Sequence, residues 1–500
     1  MKKLKFPSAQ TILLLIAAFV MVLTWFVPAG QYDKLSYDSD NDQFVIQSVD
    51  SSYTMPANQS SLETLNIQVP VEKFTNGDIY KPVGIPGSYN TLEARPQGVG
   101  ALMKAPIKGI IAAADIIFLV LIIGGRIGVM NLTGAFDAGV AWMGKVFAGR
   151  EYLLIILITS LIAAGGTTFG LAEETMAFYP ILIPIFLVAG YDALVAVACI
   201  FLGSSIGTMC STVNPFSTII ASDASGINWT TGLESRLLML ALCLVVTIVY
   251  IIRYAQTIRR HPDKSIIADH KDDIAAMFMK RSDKTDLVFT NRLRLILAVF
   301  ALSFIVMIIG VSALGWWFVE MTTVFFVASV IIGVIGRIKE TVFLDAFVRG
   351  AGDLLGVAFI IGIARGVTIL MEDGLISDTM LFYASSVSEG MHKSIFVNIM
   401  LFLYAGLSFF MPSSSGMAVL TMPIFSPLAD TVDIGREIIV DCYQYGMGLF
   451  YIINPTGLIL ASLAIIKVGF DRWLRFIWPL VLMLTGLTVV FLTIMTMVKY

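Results

Sequence analysis

The 500-residue chain has three histidines, His261, His270 and His392, and they are scattered. A histidine-based metal centre is therefore not expected. Four cysteines, Cys199, Cys210, Cys243 and Cys442, all lie in apolar segments, with neither a disulfide framework nor zinc spacing. No G-x-x-x-x-G-K-S/T phosphate loop is present, so nothing suggests that the chain hydrolyses ATP itself. Only 14% of residues are charged and the net charge is −3, which carries no message about nucleic acid. The expectation is of a protein that is not an enzyme and holds no resident cofactor.

What is present is apolar. Hydrophobic residues make up 57% of the chain, which excludes an ordinary soluble protein. Several apolar runs reach the length of roughly 18 residues or more that crosses a bilayer core. The first, 8–28, follows Lys2, Lys3 and Lys5 without a convincing cleavage site, and is read as an uncleaved span within a first unit, 1–29. Residues 30–97 form a polar insertion with nine acidic and four basic residues, whereas 253–294 holds ten Lys/Arg. The basic excess puts the second stretch in the cytoplasm and leaves the first outside.

Threading the remaining segments gives a first repeat, 98–254, with a hairpin over 151–188 and a broken helix over 191–228. A cytoplasmic basic loop (255–292) and two connecting spans (293–336) follow. A second repeat, 337–472, has a hairpin over 394–428 and a broken helix over 436–466, and 473–500 is a last span. Residues 135–149, around Asp137 and Lys145, read as an interfacial helix. The expected fold class is an all-α polytopic membrane protein of inverted repeats, with about nine crossings, two re-entrant hairpins and two broken helices.

Duplication rests on spacing. Asn214-Pro215 and Asn454-Pro455 are 240 positions apart, Asp115 and Asp353 238, and Arg126 and Arg365 239. Pro180/Pro184 and Pro423/Pro427 are 243 apart. Helix breakers recurring in corresponding apolar segments point to the binding site of a secondary transporter. Irregular backbone at membrane depth survives only where protein or a water-filled cavity satisfies it, so the two tips and two breaks are expected to face each other.

The candidate site residues follow from these elements. At the tips stand Thr167 and Thr168, and Ser413, Ser414 and Ser415, hydroxyls beside glycines; helix capping is the alternative role. At the breaks stand Asn214 and Asn454, where each proline frees carbonyls one turn earlier. Those carbonyls suit a Na⁺ near Asn214 and Asn454 or a substrate amine, and Ser217 and Thr456 add oxygens. The alternative is a kink with a capping Asn. Glu173 and Glu174, without counterparts in the second repeat, are costly at this depth and read as substrate or proton carriers, or as partners of Arg126 or Arg365. Asp115/Arg126 and Asp353/Arg365 are read as braces between helices. Tyr191-Asp192 and Gly350-Ala351-Gly352-Asp353 resemble the paired motifs of intramembrane aspartyl proteases, but Asp353 already has a repeat mate in Asp115 and Asp192 falls at a turn.

The stretches G-G-T-T-F-G-L-A-E-E-T (165–175), G-T-M-C-S-T-V-N-P (207–215) and Y-I-I-N-P-T-G (451–457) resemble the YfcC subgroup of the bacterial anaerobic four-carbon-dicarboxylate carrier family. That subgroup is similar to arginine/ornithine exchangers. The resemblance covers nearly the whole chain and is weakest over 30–97. It implies an elevator-type carrier of the ion-transporter superfamily in the bacterial cytoplasmic (inner) membrane. It also implies a homodimer, and a substrate flanked by Thr167, Thr168, Asn214, Ser413–Ser415, Asn454 and Thr456. Two like charges ~6 Å apart in an effective dielectric near 20 repel by about 3 kcal/mol, so Glu173 and Glu174 disfavour a dianion. The expected cargo is a basic amino acid, exchanged or taken up with Na⁺ or H⁺. A dicarboxylate is the alternative. Besides the small-molecule substrate, the expected partner is membrane lipid.

Overall fold

The computed structural model describes residues 7–498 except 50, 68, 77, 78, 80, 81, 137, 140–148, 280–289, 315 and 387–390. The interfacial helix expected around Asp137 and Lys145 thus lies largely outside the described residues. Among the described residues, eight helices are long and apolar enough to span a bilayer. They include the first arms of both expected hairpins, while the broken helices are built from shorter pieces.

Helix α1 (Ala9–Leu23) is capped by Ser8, and its Leu13, Ala17 and Val20 are buried. The insertion follows. It carries strands β1 (Gly30–Gln31), β2 (Lys34–Asp38), β3 (Gln43–Gln47) and β4 (Ser52–Pro56), short helices α2 (Gln59–Thr64) and α3 (Glu72–Thr75), then β5 (Val83–Gly84) and β6 (Asn90–Thr91). An antiparallel sheet runs β4-β3-β2-β5, and β1 pairs with β6. The expectation of an all-α chain is corrected here. Strand β3, Gln43-Phe44-Val45-Ile46-Gln47, turns Phe44 and Ile46 inward and both Gln outward, the period of a half-buried strand. Phe44 meets Phe74 edge-on at 5.2 Å, giving the insertion its own small core.

The first repeat contains α4 (Val99–Ala112), α5 (Ala114–Thr133), α6 (Tyr152–Phe169), α7 (Tyr179–Val188), α8 (Ala193–Met209), α9 (Ile220–Ala224) and α10 (Leu233–Arg260). Helix α11 (Lys271–Phe278) and the connecting helices α12 (Asn291–Leu314) and α13 (Phe318–Ile335) follow. The second repeat has α14 (Glu340–Asp353), α15 (Leu355–Gly374), a short α16 (Ser377–Ser386), α17 (Lys393–Phe410), α18 (Ser414–Thr431), α19 (Arg436–Tyr451), α20 (Ile459–Ile465) and α21 (Phe470–Val498). Order and lengths run parallel, with α4 matching α14, α5 matching α15, and α10 matching α21. By this correspondence the second unit takes in the last helix, which the sequence reading set apart.

Packing is reciprocal in the same sense. Helix α4 lies along α15, as its mate α14 lies along α5; α6 lies on α8, as α17 lies on α19. The last two crossings need a bare backbone. A Cβ on Gly207 would come within 2.2 Å of the Ala163 carbonyl oxygen, and one on Gly446 within 2.3 Å of that of Leu401.

Two apolar runs within the repeats, 107–132 and 346–371, each break into an amphipathic helix and an apolar one, at Ala113 and at Leu354, where the backbone leaves helical geometry. The first tip lies later than expected. Gly165 to Phe169 continue α6, and the chain turns at Gly170, whose φ of 74° a glycine adopts without strain. The second tip is shorter, because α18 starts at Ser414.

Candidate functional site

The helices form two packed groups. One gathers α1, α4, α5 and α12 to α15, and the other the hairpins and broken helices with α10 and α21. Between them lies a cavity of 470 Å³ whose wall comes from both. Ala113, Asp115 and Ile116, Phe318 and Met321, and Arg365 and Thr368 supply one side. The first tip, the first break, the second tip and the second break supply the other.

The first tip contributes Gly170, Ala172, Glu173 and Glu174. After Gly170 the chain forms a single 3₁₀ stretch, Glu173–Ala177. Its tight winding separates the two acids. Glu174 is 7% exposed and turns back to accept the Ala172 N–H at 3.1 Å. Glu173 is half-buried, with Glu174 and Asp115 as its neighbouring charges. No ion pair joins either acid to Arg126 or Arg365 among the described residues.

Thr167 and Thr168, one residue apart, part in the same way. Thr167 Oγ1 donates to the Cys210 carbonyl at 3.2 Å and accepts the Thr212 N–H at 3.0 Å, so it clasps the first break to the hairpin. Thr168 is exposed and donates to the Ala164 carbonyl at 2.6 Å. Neither lines the cavity.

The two asparagines repeat one arrangement. Asn214 Oδ1 accepts the Phe216 N–H at 2.8 Å across Pro215, and Nδ2 reaches the Gly166 carbonyl at 3.5 Å. Asn454 Oδ1 accepts the Thr456 N–H at 3.0 Å across Pro455, and Nδ2 reaches the Ser408 carbonyl at 3.4 Å. Asn214 caps the helical segment after its proline, Asn454 closes the turn that precedes α20, and each ties its break to the first arm of its own hairpin. Asn214 also lines the cavity, whereas at the second break the lining residues are Thr456, Gly457 and Leu458.

Ser217, Ser413, Ser414 and Ser415 all line the cavity. Ser413 Oγ accepts the Gly416 N–H at 3.3 Å and caps α18, whose N-terminal end thus opens on the cavity. Ser414 Oγ donates to the Phe216 carbonyl at 3.1 Å, and Tyr443 OH to the Ser414 carbonyl at 2.8 Å, so the second tip is fastened to the first break and to α19. Ser217 Oγ and Gln444 Oε1 are buried in the wall with no hydrogen-bond partner among the described residues. A buried polar atom left unpaired is costly.

Gln444 and Arg365 were not among the expected site residues. Gln444 is the amide in the otherwise tightly packed α19, and its Nε2 donates to Thr218 Oγ1. An uncharged amide in the middle of an apolar helix was the available signal. Arg365 was read as a brace; instead it reaches both the cavity and Glu372, at 3.7 Å. Its mate Arg126 is 1% exposed, donates to Ser303 Oγ at 2.8 Å and stacks against Phe300, Phe304 and Phe325. Asp192 caps α8 through the Val195 N–H and accepts from Tyr254 and Ser265, a structural role. Burial holds its carboxyl above the usual range, against the pull of those hydrogen bonds.

Among the described residues, the cavity's ionisable groups are therefore three carboxyls, Asp115, Glu173 and Glu174, and one guanidinium, Arg365. Helix termini add to this pattern. The N-terminal end of α18 favours an anion at the second tip, and the C-terminal ends of α8 and α19 favour a cation.

Residues 6–499 match the model of the C4-dicarboxylate anaerobic carrier family. The chain is 42% identical over 483 residues to an "Uncharacterized protein" of Haemophilus influenzae (strain Rd), covering 96% of this chain and 95% of that one. It is 28% identical over 490 residues to the "Putative basic amino acid antiporter YfcC" of Escherichia coli (strain K12), covering 94% and 92%. Among solved structures it is similar to the YdaH transporter of Alcanivorax borkumensis, with a TM-score of 0.41, 13% identity and 99% of each chain covered. It is also similar to Neisseria gonorrhoeae MtrF, with a TM-score of 0.38, 13% identity and coverage of 98% and 95%.

Proposed function

This chain belongs to the C4-dicarboxylate anaerobic carrier family of membrane transporters, and from that premise we propose that it exchanges basic amino acids of the arginine/ornithine class across the bacterial inner membrane. The observation that carries the reading is the cavity wall, with three carboxylates against one guanidinium. A basic amino acid has one carboxylate and two cationic groups, the inverse of that wall in sign. Its carboxylate goes to Arg365 and the N-terminal end of α18. Its cations go to Glu173 and Asp115, and Ser217 and Gln444 supply uncharged contacts. A dianion would meet two or three like charges, each repelling by about 3 kcal/mol at ~6 Å.

In this reading the hairpins are re-entrant, and the group that holds them, the broken helices, α10 and α21 moves against the other as an elevator. The division of the cavity wall between two packed groups supports it. The basic stretch 255–292 faces the cytoplasm and the insertion faces outward. The protein works as a homodimer, and Na⁺ or H⁺ is the coupling ion where transport is not a strict exchange. Single-channel current steps in planar bilayers would overturn the carrier mechanism.

The test is counterflow. Purified protein in liposomes loaded with ornithine is offered labelled arginine or labelled succinate. Arginine is expected to enter in exchange for ornithine; entry of succinate but not arginine would overturn the substrate assignment and leave a dicarboxylate carrier.

A further inference from the structure

A second cavity, of 210 Å³, adjoins the first and shares Arg365, Thr368, Pro412 and Ser413 with it. Its far wall belongs to the β insertion, through Gly30, Gln31 and Lys34. Its other walls are the end of α15, the start of α16 and the second hairpin tip. The insertion is clamped over this mouth. The Gly30 N–H donates to the Leu375 carbonyl at 2.9 Å, and the Tyr32 N–H to Asp378 Oδ2 at 3.1 Å. Tyr89 stacks on Phe382 with ring centroids 4.2 Å apart, and its hydroxyl lies 2.9 Å from that of Thr379. None of these contacts uses the side chain of Lys34.

Strand β2 fixes where that side chain sits, because Lys34 is paired with Gln47 on one side and Gly84 on the other. Lys34 is half-buried and within electrostatic reach of Asp378, which is 8% exposed. The charges of this second wall are thus Lys34 and Arg365 against Glu372 and Asp378. Two and two is the wall a zwitterion needs, whatever its side chain. The inner wall, at three to one, instead discriminates in favour of extra positive charge.

We propose that the second cavity is an access subsite for the α-amino-acid group, in which Lys34 and Arg365 receive the carboxylate and Glu372 and Asp378 the ammonium, before the solute passes Ser413 into the inner cavity. The proposal rests on the amino-acid reading of the inner cavity and deepens it. It also gives the insertion a task, since Lys34 is the group that only the insertion supplies. Because the subsite lies on one face of the protein, its loss is felt from that face alone.

Membrane vesicles of opposite orientation, right-side-out and inside-out, test this with arginine as the probe. Lys34→Gln is expected to raise the KM measured from the insertion's side roughly five- to tenfold, the loss of one half-exposed charge-assisted contact. The KM from the opposite side and the maximal rate stay at wild-type values, and Lys34→Arg restores the lost affinity. An unchanged KM in Lys34→Gln, an equal rise on both sides, or a failure of Lys34→Arg to restore it would overturn the subsite. If wild-type vesicles transport neither arginine nor ornithine, the reading of the inner cavity falls and the subsite's ligand with it. Active wild type with an indifferent Lys34→Gln removes the subsite alone.

Discussion

Replacing Glu173 by Gln, beside the same change at Glu174, separates two adjacent acids that differ in what they do. Both substitutions keep the shape of the side chain and remove its charge. Glu173 is half-buried in the cavity wall. A cation ~4 Å away in an effective dielectric near 20 is attracted by about 4 kcal/mol before desolvation. The net value of a hydrogen bond to a charged group is about 1.5–3 kcal/mol. That corresponds to a loss of roughly 10- to 150-fold in apparent affinity for arginine. Glu174 instead accepts the Ala172 N–H at 3.1 Å, and a glutamine carbonyl oxygen accepts that bond equally well. Its substitution keeps that bond and removes a charge from the wall, so it is expected to lower affinity for arginine by less than Glu173→Gln does. The assay is ornithine-loaded liposome exchange over a range of external arginine. The reasoning is refuted if Glu173→Gln retains wild-type affinity, and the two assignments are reversed if Glu174→Gln alone loses it.

Three further outcomes follow from the geometry. Asn214→Ala removes a helix cap and should lower stability by ~1–2 kcal/mol in detergent melts, and Asn454→Ala, which frees the buried Thr456 N–H, should cost a similar ~1–3 kcal/mol; lost substrate affinity at unchanged stability in Asn454→Ala would make that residue a ligand instead. Arg236 and Asp441, both fully buried and 2.8 Å apart, join α10 to α19. Asp441→Asn should cost about 3–5 kcal/mol, and an Arg236→Met, Asp441→Leu double variant should recover much of it; equal melting of the two variants would show that the charge pair matters little. Gly207→Val and Gly446→Val should each destabilise by about 1–3 kcal/mol or more through overpacking at the helix crossings, read as loss of folded protein after solubilisation. Wild-type yield in both would mean that the crossings are looser than 2.2 and 2.3 Å imply.

The sequence alone was enough for the membrane class and for the paired spacing of its helix breakers. Each is written in composition or spacing, and spacing survives folding unchanged. The 240-residue offset of the Asn-Pro pairs reappears as matching helices and reciprocal crossings. The insertion was legible only as polar residues, because strands of two to five residues leave a weak pattern.

What only the tertiary structure decided is direction. Thr167 clasps a break while Thr168 is exposed; Glu174 is buried and accepts the Ala172 N–H while Glu173, in the same wall, is half-buried; Asn454 ties a hairpin while Thr456 lines the wall. Successive residues of a helix point about 100° apart, and in a 3₁₀ turn about 120°, so moving a helix end by one residue exchanges their roles. Where those ends fall is set by packing, such as the turn at Gly170 beside Asn214, and not by the local residue types. Gln444 and Lys34 join the walls from segments distant in the chain. Only folding could place them beside Ser217 and Arg365.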